Sequence, residues 1–118
     1  DGKYREAPQV LREKQVSLLQ EIKWICRKHD TDVKIIISPD YLQVNINPAD
    51  VKTLKRFFGK RNVFDFTGIN EYTEDIHNYY EPGHYRPALG KRLMEKIYEP
   101  YILSPNAKSP ASPSPGTI

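Results

Sequence analysis

Two short apolar runs, separated by one clearly punctuated helix, set the narrowest limits on what this chain can become. The first is Val33-Lys34-Ile35-Ile36-Ile37, closed by Ser38-Pro39-Asp40; the second is Asn62-Val63-Phe64-Asp65-Phe66. β-Branched and aromatic runs this short, bounded by turn residues, predict buried strands over 33–38 and 62–66. Between them Asn47 is a good N-cap, Pro48 suits the first helical position, and Asp50 stands where a capping box places its acid. Val51, Leu54, Phe57 and Phe58 make the apolar face of a helix over 48–58, and Gly59 supplies a left-handed stop. Strand, helix and strand in this order predict parallel pairing through a right-handed crossover.

Helical patterns flank this unit. Upstream, Pro8 fits a first turn, and Leu11, Leu18, Ile22 and Ile25 recur at helical spacing over about 9–29. Trp24 and Cys26 read as packing residues of that helix, and His29 as a side chain for its last carbonyls. Downstream, Pro87 opens a helix over 87–103 with Leu89, Leu93 and Ile97 in register. The expected fold is α/β. Two parallel strands alone leave two open sheet edges and a thin core, so residues 1–103 read as half of a doubly wound domain. The missing strands are expected from an amino-terminal segment, a partner chain, or self-association through the sheet edges. From Ser104 the composition changes: Ser-Pro recurs at 104–105, 109–110, 112–113 and 114–115. A segment so poor in apolar side chains predicts a disordered tail over 104–118.

Composition narrows the function classes. The 118 residues carry 18 Lys and Arg against 15 Asp and Glu, a net charge of +3. That excess is too small and too scattered to motivate nucleic-acid binding. Its densest part, Lys52, Lys55, Arg56, Lys60 and Arg61, reads as a solvated helix face and turn. The one cysteine, Cys26, excludes an internal disulfide. No apolar stretch is long enough for a membrane span.

In open α/β sheets, ligands gather beyond the carboxyl ends of the strands. Two segments qualify, Ser38 to Asn45 and Thr67 to Arg86; the second shows neither helical nor strand period. It is rich in tyrosine (Tyr72, Tyr79, Tyr80, Tyr85), histidine (His77, His84) and acids (Glu71, Glu74, Asp75, Glu81). Glu81-Pro82-Gly83-His84 carries the signature of a type II turn, which brings its first and fourth residues together. Glu81 then reaches one ring nitrogen of His84, leaving the other free as a general base. Glu74, Asp75, His77, Glu81 and His84 lack the spacing of a metal site, and none is assigned. No cofactor is called for either.

The segment Asn78-Tyr79-Tyr80-Glu81-Pro82-Gly83-His84-Tyr85-Arg86-Pro87-Ala88-Leu89-Gly90 resembles the carboxy-terminal block of bacterial SGNH (GDSL-type) hydrolase-like proteins. The resemblance extends over roughly residues 9–103 in the order of the elements. It implies a flavodoxin-like three-layer α/β/α domain acting on acyl esters through a serine nucleophile, with His84 as base and Glu81 as its orienting acid. An acylated saccharide substrate and a bacterial envelope or periplasmic location are implied in the same way. The family's usual acid is Asp, where this chain has Glu81. Gly-Asp-Ser and Gly-x-Asn-Asp, which carry the nucleophile and oxyanion hole, are absent, and Ser38 reads as an ordinary loop serine. The expectation is a base without its nucleophile, inactive alone. The alternative expectation is a non-enzymatic α/β binding or assembly module with tyrosine-lined loops.

Overall fold

A computed structural model describes residues 3–99. In chain order they form β1 (Arg5–Glu6), α1 (Glu13–Lys28), β2 (Ile35–Ile37), β3 (Val44–Asn45), α2 (Pro48–Phe58), β4 (Val63–Asp65), β5 (Tyr79–Glu81), β6 (His84–Tyr85) and α3 (Pro87–Ile97). Short 3-10 turns at Lys60–Asn62 and Ile76–Asn78 precede β4 and β5. The chain is a small mixed α/β fold. The expected tail over 104–118 and the last residues of the expected third helix, 100–103, lie outside the described residues.

The strand pair read from the sequence is present and parallel. Ile35 stands opposite Val63, Ile36 opposite Phe64 and Ile37 opposite Asp65. Both strands are shorter than expected, and at their mouths Lys34 and Asn62 bond each other through side chains (Nζ to Oδ1, 2.9 Å). Two further two-stranded sheets went unread. β1 pairs with β3 in parallel, and β5 pairs with β6 as an antiparallel hairpin inside the segment that showed no period. Strands of two or three residues are too short to display a period of two, so neither pair had a legible pattern.

Helix α1 begins at Glu13, not at residue 9, and Pro8 stands well before it. The reason lies forty residues away. Asp50 is fully buried, and its two oxygens accept the backbone N–H groups of Val10 (2.9 Å) and Leu11 (3.0 Å). Asn47 Nδ2 donates to the Ala7 carbonyl at 3.2 Å. Residues 7–11 are thereby stapled to the start of α2 before α1 can form. Asp50 therefore does not close the capping box the sequence suggested. Asn47 does cap α2, its Oδ1 accepting from Ala49 N at 2.9 Å, and Gly59 ends that helix at φ 87°.

The core gathers on one side of the β2–β4 pair. Leu89 and Leu93 are completely buried, and Ile97 nearly so, against Phe66, Tyr72 and Tyr79, with Phe64 packed on this cluster. By strand alternation Val63 turns to the other face, where α2 meets β4 and α1 leans on α2. There the expectation for α1 fails. Leu18, Ile22 and Ile25 are 57%, 43% and 49% exposed, and Trp24 is exposed as well. Cys26 is the buried residue of this helix, facing a hollow lined in part by Val33, Phe57 and Phe58.

Candidate functional site

The hairpin supplies the site. Tyr79–Glu81 runs out, Pro82 and Gly83 turn, and His84–Tyr85 runs back, with Glu81 directly opposite His84. Gly83 does not take positive φ, so the turn is not the type II form its sequence suggested. Strand pairing fixes the four-residue bend instead, and it still delivers the expected result. Glu81 Oε1 contacts His84 Nδ1. The two side chains are 63% and 73% exposed, so the free face of the imidazole opens to solvent.

The hairpin is held at both ends. At its base, Arg86 N donates to Asn78 O at 2.7 Å, and the Tyr79 hydroxyl donates to Tyr72 O at 2.6 Å. Burial, helped by the Asp40 carboxylate, pushes the Tyr79 phenol up to about 12. At its tip the segment after β2 comes across. Tyr41 N donates to Pro82 O at 2.9 Å, and the Tyr41 ring lies 5.7 Å from that of Tyr79. A β-carbon placed on Gly83 would stand 3.7 Å from Asp40 Oδ2. Asp40 in turn accepts from Leu42 N at 2.7 Å. The two segments singled out from the sequence, 38–45 and 67–86, therefore meet at the turn that joins Glu81 to His84.

Beneath them a polar clasp orders the longer segment. Thr73 is fully buried; its hydroxyl donates to Gly68 O (2.6 Å) and accepts from Asn70 N (3.0 Å). Gln43 Nε2 donates to Thr73 O at 3.1 Å, tying the segment after β2 to the segment after β4. Gly68 takes φ 88° and packs so tightly on the Asn45 amide that a β-carbon there would collide with it. Only glycine meets both conditions.

A second carboxylate–imidazole pair was not legible as one. Asp75 Oδ1 lies 2.9 Å from His77 Nδ1 and also accepts from His77 N at 2.9 Å. The backbone bond from His77, followed by the ring, holds the Asp75 carboxyl below the usual carboxylate range. Its signal is the Asp-x-His spacing of an Asx turn opening a 3-10 turn, so this acid is a cap that the imidazole joins. Among the described residues, no group of three or more His, Cys, Asp or Glu is placed to hold a metal. Glu74, Asp75, His77, Glu81 and His84 accordingly do not converge. Ser38, just past β2, makes no hydrogen bond to His84 among the described residues. Lys52, Lys55, Arg56, Lys60 and Arg61 are all exposed, with Arg56 over the Phe57 ring at 5.4 Å.

No helix among the described residues is long and apolar enough to cross a membrane. Compared with family models, curated proteins and solved structures, the chain matches none.

Proposed function

We propose that this chain is the carboxy-terminal part of a flavodoxin-like three-layer α/β/α domain of the SGNH (GDSL-type) kind, working in acyl-ester hydrolysis or acyl transfer. His84 is its general base and Glu81 the acid that orients it. The observation that carries this reading is the contact of Glu81 Oε1 with His84 Nδ1 across the hairpin turn, beside the segment that leaves β2. A carboxylate at Nδ1 fixes the proton there and leaves the Nε2 lone pair for chemistry. Nε2 then takes the proton of a serine hydroxyl as its oxygen attacks the ester carbonyl, and returns that proton to the departing alkoxide. Glu81 stabilises the imidazolium formed between the two steps.

Gly-Asp-Ser is absent from residues 1–118, so the serine comes from polypeptide outside them, and the open face of His84 leaves room for it. The chain alone turns over no ester. An acylated saccharide of the bacterial envelope is the substrate class proposed on the sequence resemblance.

The test uses the natural polypeptide extended at its amino end, assayed on an acetyl ester. His84→Ala lowers kcat/KM at least about a hundredfold, the usual minimum for a general base. Glu81→Gln lowers it less and shifts the pH profile. Turnover unchanged by His84→Ala, with the fold intact by circular dichroism, overturns the assignment and favours the binding or assembly module.

A further inference from the structure

Both α1 and α2 end at the amino ends of the parallel strands. α1 closes at Lys28 and leads into β2, and α2 closes at Phe58 and leads through Lys60–Asn62 into β4. The Glu81–His84 hairpin lies at the other end, against the segment that leaves β2. Three adjoining hollows open at the amino end. The first, of about 690 Å³ between α1 and α2, is lined in part by Lys23, Trp24, Arg27, Lys28 and Phe57. The second shares Lys23, Arg27 and Phe57 with it and reaches Asn62. The third, of about 620 Å³, begins at Asn62 and is lined in part by Lys34, Lys60, Arg61 and Lys96. Seven cations and two acids thus line one continuous track, in a chain whose whole excess is +3.

Both acids are already taken. Asp32 lies 3.6 Å from Lys34, and Glu99 lies 3.1 Å from Lys96. Among the described residues, none of Lys23, Arg27, Lys28, Arg56, Lys60 and Arg61 lies within ion-pair distance of a carboxylate. Cations in a last turn offset the negative end of a helix, which accounts for Arg27, Lys28 and Arg56. It does not account for Lys23, a turn further back in α1, or for the Trp24 indole left 62% exposed beside it. The rings complete the pattern. Lys28 rests 4.9 Å from the centroid of Trp24, while Lys23 and Arg56 rest 5.8 and 5.4 Å from that of Phe57. A cation on a wet ring gains little, so little is lost when a ligand offers the ring a planar partner and the cation an anion. A nucleotide offers both, and a run of unpaired nucleotides repeats the offer along a charged track. In the sequence Lys23, Arg27 and Lys28 stand far from Lys60 and Arg61; they meet only because two helices end at the same place.

We propose that the hollow between α1 and α2 binds single-stranded nucleic acid. One base stacks on Trp24, and the phosphates run from Lys28, Arg27 and Lys23 past Asn62 to Lys60 and Arg61. A duplex does not bind in this way, because its bases are already stacked on one another. The inference is independent of the acyl-transfer reading and uses the opposite end of the strands, so either can fail alone.

The test titrates residues 1–118 against fluorescein-labelled and unlabelled oligothymidylate, reading anisotropy and the fluorescence of Trp24, the chain's one tryptophan. Stacking quenches Trp24 on binding. Affinity falls about sevenfold for each doubling of salt, as neutralising about four phosphates requires. Trp24→Ala weakens binding at least about fivefold and leaves that salt dependence in place. The Lys23→Gln and Arg27→Gln pair weakens binding and flattens the dependence. Lys91→Gln, a cation on α3 outside the three hollows, leaves affinity unchanged. Trp24→Phe keeps a ring and most of the binding, and it decides the matter if Trp24→Ala does not fold. The proposal is overturned if the oligomer does not bind, or binds without quenching Trp24. It is overturned equally if polyphosphate, polyglutamate or a duplex displaces the label as well as unlabelled oligomer does, since charge alone then suffices. Thymidine monophosphate bound as tightly as the oligomer overturns the track and leaves a site for one nucleotide.

Discussion

Helices α3 and α1 carry almost the same sequence pattern and meet opposite fates. Leu89, Leu93 and Ile97 on α3 disappear into the core, whereas Leu18, Ile22 and Ile25 on α1 stand in solvent. Periodicity states that a helix has an apolar face; it says nothing of whether the surface to receive it is present. α3 finds its receiver on the segment that leads into it, which carries Phe66, Tyr72 and Tyr79. α1 is anchored by polar bonds at its start and by Cys26 near its end, and its apolar stripe is left exposed.

The sharpest way to break this comparison is to truncate equivalent positions. Leu93→Ala destabilises residues 1–118 by about 2–5 kcal/mol, as cavity formation at a fully buried leucine does. Ile22→Ala in the same chain leaves the denaturation midpoint nearly unmoved, since that side chain is already wet. Equal losses at the two positions, read by chemical denaturation, remove the distinction.

The next effect concerns how α1 is held at all. Asp50→Ala leaves the Val10 and Leu11 amides without their acceptor, at a cost of about 1–3 kcal/mol. Hydrogen exchange separates this from general loosening. The amides of residues 10 and 11 and the first turn of α1 exchange faster, while those of α3 keep their protection until global unfolding. Accelerated exchange throughout α3 means that the staple belongs to the core and not to α1 alone.

Tyr79→Phe comes third, at about 0.5–1.5 kcal/mol for one lost hydrogen bond to Tyr72 O. Its pH dependence is the better diagnostic. The phenol is pushed up from 10 in the unfolded chain to about 12 in the fold. The neutral form is thus favoured by folding, so its contribution is complete below pH 10 and drains away as pH rises through about 12. Tyr79→Phe abolishes that alkaline decline. A decline that persists in the variant assigns it to other groups.

These contrasts also separate what was readable from what was not. The β2–α2–β4 unit was legible because each boundary has a chemical marker: Asn47 and Pro48 at the start of α2, Gly59 at its end, β-branched runs on either side. The start of α1 was not, because it is set by a carboxylate forty residues on, and a local window credits Asp50 to its own helix. The contact of Glu81 with His84 was readable although the turn type was not. Any tight four-residue turn brings its ends together, and Gly83 turned out not to need the positive φ that glycine permits. The docking of Asp40 and Tyr41 on that turn, and the clasp of Gln43 on Thr73, join segments thirty or more residues apart through backbone atoms. Side-chain pattern carries no trace of a backbone partner.

The smallest expected effect on stability falls on the residues given the largest role in function. Glu81 and His84 project from the tip of a hairpin whose order comes from Tyr79, Tyr41 and the bond from Arg86 N to Asn78 O. An exposed carboxylate–imidazole contact gains little against solvent, so its loss should barely register in folding. His84→Ala and Glu81→Gln therefore leave the thermal midpoint of 1–118 where it stands, and salt moves it no more in the variants than in the parent. A clear drop on either substitution would make the pair a structural latch of the hairpin. Its absence is what a preorganised base requires, because scaffold and chemistry are then carried by different residues.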